Sequence, residues 1–190
     1  MLAASVWCGS LLADRQRLND GLIRFHVVAN SDSEEDQSVK LQVRDAVLNS
    51  LQSDLNKIAD VNEARAYLQA KLPQIQAVAN SVLEATGCDC EAVVTLCKEA
   101  FDTRYYDTFT LPAGIYEALR ITIGEGEGHN WWCVMFPPLC LPAAQDRGGN
   151  IDAFLDGDEL KVVESSGRYE PRFKIVEIIE ELREKTSPEN

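Results

Sequence analysis

The sequence predicts an α+β fold, a small antiparallel sheet covered by helices within a single domain. Residues 22–29 alternate and are rich in strand formers. Residues 34–86 carry apolar side chains at helical spacing in two segments, each opened by a capping residue. After Gly87 the period of the pattern changes to two. A chain of 190 residues can bury one core of ordinary size. We divide it into an apolar segment over residues 1–20 and one domain over 21–190, with 150–190 as a C-terminal strand and helix extension.

Met1–Leu12 is mostly apolar and ends at Asp14-Arg-Gln-Arg17. It is too short to span a bilayer and lacks the basic start of a secretory signal. It reads as the tail of a truncated signal or anchor, or as an N-terminal helix docked on the core. Leu22–Ala29 is the first strand. His26 within it reads as a half-buried strand residue, since no second candidate ligand sits at useful spacing. Asn30–Asp36 is a turn flowing into a helix, because Ser or Asp can cap and the acids suit the positive helix end. Val39, Val43, Ala46, Val47 and Leu51 form its apolar stripe, and Lys40 and Arg44 lie on another face, read as solvated.

Asp60-Val-Asn-Glu63 resembles a capping box opening a second helix. Leu68, Leu72, Ile75, Ala79, Val82 and Leu83 line one side of it. Pro73 predicts a kink or two consecutive helices, and Gly87 is the stop. Ala92–Lys98, Tyr116–Ile123 and Trp131–Phe136 read as strands. Phe101–Thr110 is partly extended and Leu111–Gly114 is a turn, the whole expected as an antiparallel meander. Leu119, Ile121 and Ile123 share one face. Leu141–Gly149 reads as a linker, Glu159–Glu164 as a short strand, and Arg172–Lys185 as a terminal helix presenting Phe173, Val176, Ile179 and Leu182.

The net charge of −13 and pI near 4.5 oppose binding to nucleic acid and to anionic lipid. Arg24, Lys40 and Arg44 sit within that acidic excess and are not read as phosphate ligands. The six cysteines, Cys8, Cys88, Cys90, Cys97, Cys133 and Cys140, include no CxxC pair and fit no zinc module. They read as buried thiols or as disulfides, with 15 pairings possible. Cys88-x-Cys90 is too tight for an ordinary bridge within one extended strand.

Gly124–Cys140 packs three glycines, two adjacent tryptophans, two prolines and two cysteines into seventeen positions. Gly124-x-Gly126-x-Gly128 is no dinucleotide fingerprint, because the spacing differs and a strand follows it. Glu125 and Glu127 would also repel phosphate. Glu125, Glu127 and His129 alternate as metal ligands could, but three ligands in one loop lack outside support, and a solvated acidic loop is the preferred reading. Cys133 or Cys97 with His129 could be a thiol nucleophile and its base, and a thiol-dependent hydrolase using Cys133 and His129 is the alternative function. A disulfide or buried thiol is favoured. We expect a Cys133–Cys140 bridge, since Pro137-Pro138 can turn the chain and bring the Cα atoms within about 4.4–6.8 Å. No cofactor, metal or small-molecule substrate is expected.

Several blocks resemble the stage II sporulation protein R family of endospore-forming bacteria. They are Ile23-Arg-Phe-His-Val-Val-Ala-Asn-Ser31, Glu35-Asp36-Gln37, Val43-Arg-Asp-Ala-Val47, Leu111–Arg120, Asn130-Trp-Trp-Cys-Val134 and Phe136-Pro-Pro-Leu-Cys140. The resemblance covers most of residues 22–141. It implies a signalling protein rather than an enzyme, made in the forespore and secreted into the space between the two membranes. There it would trigger a membrane-embedded aspartic protease of the mother cell, which removes the pro-sequence of a sigma factor. On that reading the receptor-facing surface is expected at His129, Asn130, Trp131, Trp132 and the neighbouring Tyr116, with the glycines letting the loop project. The Asn30–Asp36 turn is the second candidate. One tryptophan should face solvent and the other the core.

Overall fold

In the computed structural model the described residues are 16–105 and 110–138. The N-terminal apolar segment with Cys8, together with Cys140, the linker, the short strand and the terminal helix, lie outside them. Within the described residues the chain divides into two compact units, one of 20–99 with 116–138, the other of 16–19, 100–105 and 110–115. The elements are β1 (Ile23–Val28), α1 (Glu34–Leu55), α2 (Val61–Thr86), β2 (Ala92–Phe101), β3 (Arg104–Tyr105), β4 (Thr110–Leu111), β5 (Gly114–Ile123) and β6 (Asn130–Phe136). The α+β class stands.

The sheet is mixed, not an antiparallel meander. Its strand order is β2-β5-β1-β6. β1 runs parallel to β5 and antiparallel to β6, so that Phe25 lies beside both Leu119 and Cys133. A parallel pair needs a long crossover, and α1 and α2 supply its length between β1 and the later strands. Central placement buries all six residues of β1, including Arg24 and His26. The alternation of β1 therefore separates two buried faces rather than a wet face from a dry one, and His26 is fully rather than half buried.

Both helices start where the capping residues predict. Ser33 caps α1, its Oγ accepting the Asp36 N–H at 3.1 Å, and Glu34, Glu35 and Asp36 occupy the positive first turn. Asp60 caps α2 by accepting the N–H groups of Asn62 and Glu63. Gly87 ends α2 at φ 74°, with the Cys88 N–H returning to the Leu83 carbonyl at 3.0 Å. Pro73 neither splits nor ends α2, which runs unbroken through it. Pro73 and Gln69, the residue whose carbonyl the proline leaves unbonded, are both on the exposed face, where water can take that carbonyl.

Ile23, Phe25 and Val27 of β1 pack with Leu119, Ile121 and Ile123 of β5 against Val39, Val43, Val47 and Leu51 of α1 and Leu68, Ile75, Ala79 and Leu83 of α2. In the smaller unit β3 pairs antiparallel with β4, and the Ala113 N–H donates to Thr103 Oγ1 at 3.2 Å. Among the described residues no helix is long and apolar enough to cross a membrane.

Candidate functional site

The turn after β1 is built by its own side chains. The Asp36 carboxylate accepts from Asn30 Nδ2 at 2.9 Å and from Ser31 Oγ at 2.5 Å. These hydrogen bonds, Ser31 first and then Asn30, hold its carboxyl below the usual carboxylate range. Ser31 Oγ also accepts the Ser33 N–H at 3.2 Å, and Gln37 Nε2 donates to the Ser31 carbonyl at 2.9 Å. The motif Asn30-Ser31…Asp36-Gln37 is thus a closed polar knot at the start of α1.

The loop between β5 and β6 lies down on that knot. The Glu125 N–H donates to Asn30 Oδ1 at 3.1 Å, the Glu127 N–H to the Asn30 carbonyl at 3.1 Å, and the Gly128 N–H to the Ala29 carbonyl at 3.0 Å. Asp32 Oδ1 accepts the His129 N–H at 2.6 Å and lies 2.5 Å from His129 Nδ1. Hydrogen bonding to His129, from the ring and then the backbone, lowers the Asp32 carboxyl from its ordinary value. The glycines serve this close approach rather than projection. Gly124 has φ +55°, and a Cβ there would run into Asn30 Oδ1. A Cβ at Gly128 would strike the Ser31 carbonyl oxygen and sit 2.6 Å from its carbon. The first and second candidate surfaces are therefore one surface.

Lys40 ties the assembly to α1. It is buried rather than solvated, because its stem crosses under the loop. Its Nζ donates to Gln37 Oε1 at 2.5 Å and to the His129 carbonyl at 2.9 Å. Burial pulls its ammonium below the ordinary lysine value, with the Asp32 charge opposing. Lys40→Met keeps the stem and removes both bonds. It is expected to lower stability by about 1–3 kcal/mol, read as a shift of the urea midpoint at unchanged slope.

Trp131 and Trp132 point to opposite faces, as adjacent strand residues must, but each is half buried. Trp131 faces the helices, edge-on to Phe25 at 5.9 Å, with the Arg44 guanidinium 4.8 Å above its ring. Trp132 stacks on His26 at 4.5 Å and 5°. Tyr116 is fully buried with the Arg24 guanidinium 5.3 Å from its ring, so it supports the sheet from inside and is no surface contact. His129 and Asn130 are exposed. Cys133 is buried and disulfide-bonded. Cys140 lies outside the described residues, and the expected Cys133–Cys140 pairing stays an expectation.

Sequence reading missed the polar face of the sheet. His26 Nε2 lies 3.0 Å from Glu99 Oε2, and Arg120 Nη1 is 3.7 Å from Glu99 Oε1. Burial pushes the His26 imidazole down to about 4, against the attraction of Glu99 and with the help of Arg120 and Arg24. The unfolded chain therefore binds a proton that the fold refuses between pH 6.5 and 4, and stability falls as pH drops through that window. The loss should reach about 2–3 kcal/mol by pH 4. Urea unfolding at pH 7 and pH 4.5 measures it, and His26→Phe should flatten the dependence while retaining a ring for Trp132.

Catalytic geometry does not form around the sequence candidates. His129 turns to Asp32, whereas Cys133 is buried in β6 and already bonded. Among the described residues the free thiol is Cys97, exposed on β2. Burial first, and the adjacent Glu99 second, raise its pKa, which disfavours a thiolate. Among the described residues no group of three His, Cys, Asp or Glu side chains could hold a metal ion, Glu125, Glu127 and His129 included. Arg24 and Lys40 are buried. Cys88 and Cys90 are bridged at a Cα separation of 5.4 Å, contrary to the expectation that the pair is too tight. That expectation assumed a strand, and the pair lies in the connection between α2 and β2.

The profile of the stage II sporulation protein R family matches residues 19–146. Over 122 residues the chain is 44% identical to stage II sporulation protein R of Bacillus subtilis (strain 168), an alignment covering 64% of this chain and 54% of that protein. The chain thus spans about half the length of the curated relative it matches. No solved structure matches it.

Proposed function

The chain belongs to the stage II sporulation protein R family and has a role in sporulation, and from that premise we propose that it is a non-enzymatic protein ligand. It is secreted from the forespore into the intermembrane space and activates a membrane-embedded aspartic protease of the mother cell, which then processes a pro-sigma factor. One observation carries this reading. The two most distinctive sequence blocks, Asn30–Gln37 and Gly124–Trp132, are locked together at the surface by a polar network in which His129 is engaged by Asp32, while Cys133 is held in a disulfide. A network of that kind fixes the shape of a recognition surface before the partner arrives, which lowers the ordering cost of binding. Its exposed rim carries Asp32, Glu34, Glu35, Glu125 and Glu127, so the partner's matching surface is basic.

Reconstitution tests the proposal. The protease, its pro-sigma substrate and this protein are combined in vesicles, and processing is followed by mass. Processing that requires this protein, and that survives alkylation of Cys97, is the expected result. Processing independent of the protein would overturn the ligand reading. Dependence lost on alkylation would favour the thiol hydrolase instead.

A further inference from the structure

We propose that the Cys88–Cys90 bridge is a thiol–disulfide exchange site for a dithiol partner, and that its state sets the order of the 124–128 loop. The inference stands apart from the ligand reading, because its test needs no protease.

The bridge is weakly tied to the fold. Its two cysteines are two positions apart, so the cross-link removes little freedom from the unfolded chain. The turn that carries it is closed without it. Gly87 adopts the left-handed conformation, its N–H returns to the Glu84 carbonyl at 3.1 Å, and the Cys88 N–H returns to the Leu83 carbonyl at 3.0 Å. By linkage, a bridge that contributes little to global stability is held shut only weakly by the fold, and it can open while the core stays folded. Both cysteines are half buried at the margin of the core, within reach of an attacking thiolate.

What the bridge holds is the next stretch of backbone. The Glu91 carbonyl accepts the Gly124 N–H at 2.9 Å, the first anchor of the loop that continues through Glu125 onto Asn30. On its far side the Ala92 N–H is fixed by Asn80 Oδ1 at 2.8 Å. Glu91 is thus pinned between a bridged cysteine and a capped strand start. Opening the bridge frees one of those pins. In the exchange, a thiolate of the dithiol attacks one sulfur of the pair and displaces the other as a thiolate. The partner's second thiol then resolves the mixed disulfide. Two electrons pass to Cys88 and Cys90, which end as thiols after taking up protons, and the partner ends as a disulfide.

The full-length protein is titrated with dithiothreitol. Alkylation and mass spectrometry count thiols at Cys88 and Cys90, and amide hydrogen exchange is followed in parallel. Cys88 and Cys90 are expected to open while the amides of α1 and α2 keep their protection, and exchange at Gly124 and Glu125 should accelerate at least about tenfold. The double variant Cys88→Ser/Cys90→Ser should show the accelerated exchange without reductant, which separates this pair from the bridge at Cys133. If the variant does not fold, the reduced wild-type protein supplies the same readout. A pair that stays closed until the helices lose protection overturns the proposal, and so does reduction that leaves exchange at Gly124 and Glu125 unchanged.

Discussion

Gly128→Ala is expected to unseat the 124–130 loop and, on the proposed ligand reading, to abolish protease activation in a protein that retains its core. The new Cβ would meet the Ser31 carbonyl oxygen head-on, with the Ser31 carbon at 2.6 Å and the Ala29 Cβ at 2.9 Å. Two of these are main-chain atoms, and the Ser31 carbonyl is itself held by Gln37 Nε2. It cannot swing aside as a side-chain end could, so the loop must lift. Lifting it loosens the bonds from Gly128 to Ala29 and from Glu127 to Asn30. Overpacking of this kind costs about 1–3 kcal/mol, which a urea midpoint resolves. Gly21→Ala is the control, because a Cβ there meets nothing within 4 Å. Normal stability and normal processing in Gly128→Ala would remove the loop from the recognition surface.

Much of the frame was legible in the sequence, because its signals are local. Ser33, Asp60 and Gly87 terminate helices through bonds to backbone within four residues, and their spacing announces them. The valine stripe of α1 needs only a period. The order of the strands was not legible in this way. β1 enters between β5 and β6 through pairings about a hundred residues apart, and nothing local in Leu22–Ala29 states that both its faces will be buried. The same limit explains Lys40. Its face of α1 reads as solvated until the 124–130 loop, far along the chain, is laid over it. The Asn30 and Gly124 segments could each be nominated from composition, yet their union depends on a contact across 95 positions. Cys88 and Cys90 were misjudged because a strand was assumed where the chain turns.

The two tryptophans should fail differently when truncated. Trp132→Ala removes the ring stacked on His26, a residue buried beside Glu99. Truncating a large buried aromatic costs about 3–5 kcal/mol. Trp132 is half buried, and its loss is expected at the lower end of that range, appearing mainly as a fall in melting temperature. Trp131 occupies another environment. It adjoins the exposed His129 and Asn130, and its ring lies beneath the Arg44 guanidinium, with half-exposed Leu41 also on α1. An aromatic ring with an arginine above it is the kind of pair that anchors interfaces. On the proposed ligand reading, Trp131→Ala should therefore leave a folded protein, weakened by the lost packing on the core and the lost edge contact with Phe25, whose affinity for the protease falls more than about thirtyfold. Thermal denaturation and the reconstituted processing assay separate the two outcomes. If both variants unfold, the rings belong to the core alone. If both activate normally, recognition passes to the acidic turn at Asp32–Glu35, where charge reversal of Glu34 and Glu35 should then abolish processing without touching the core.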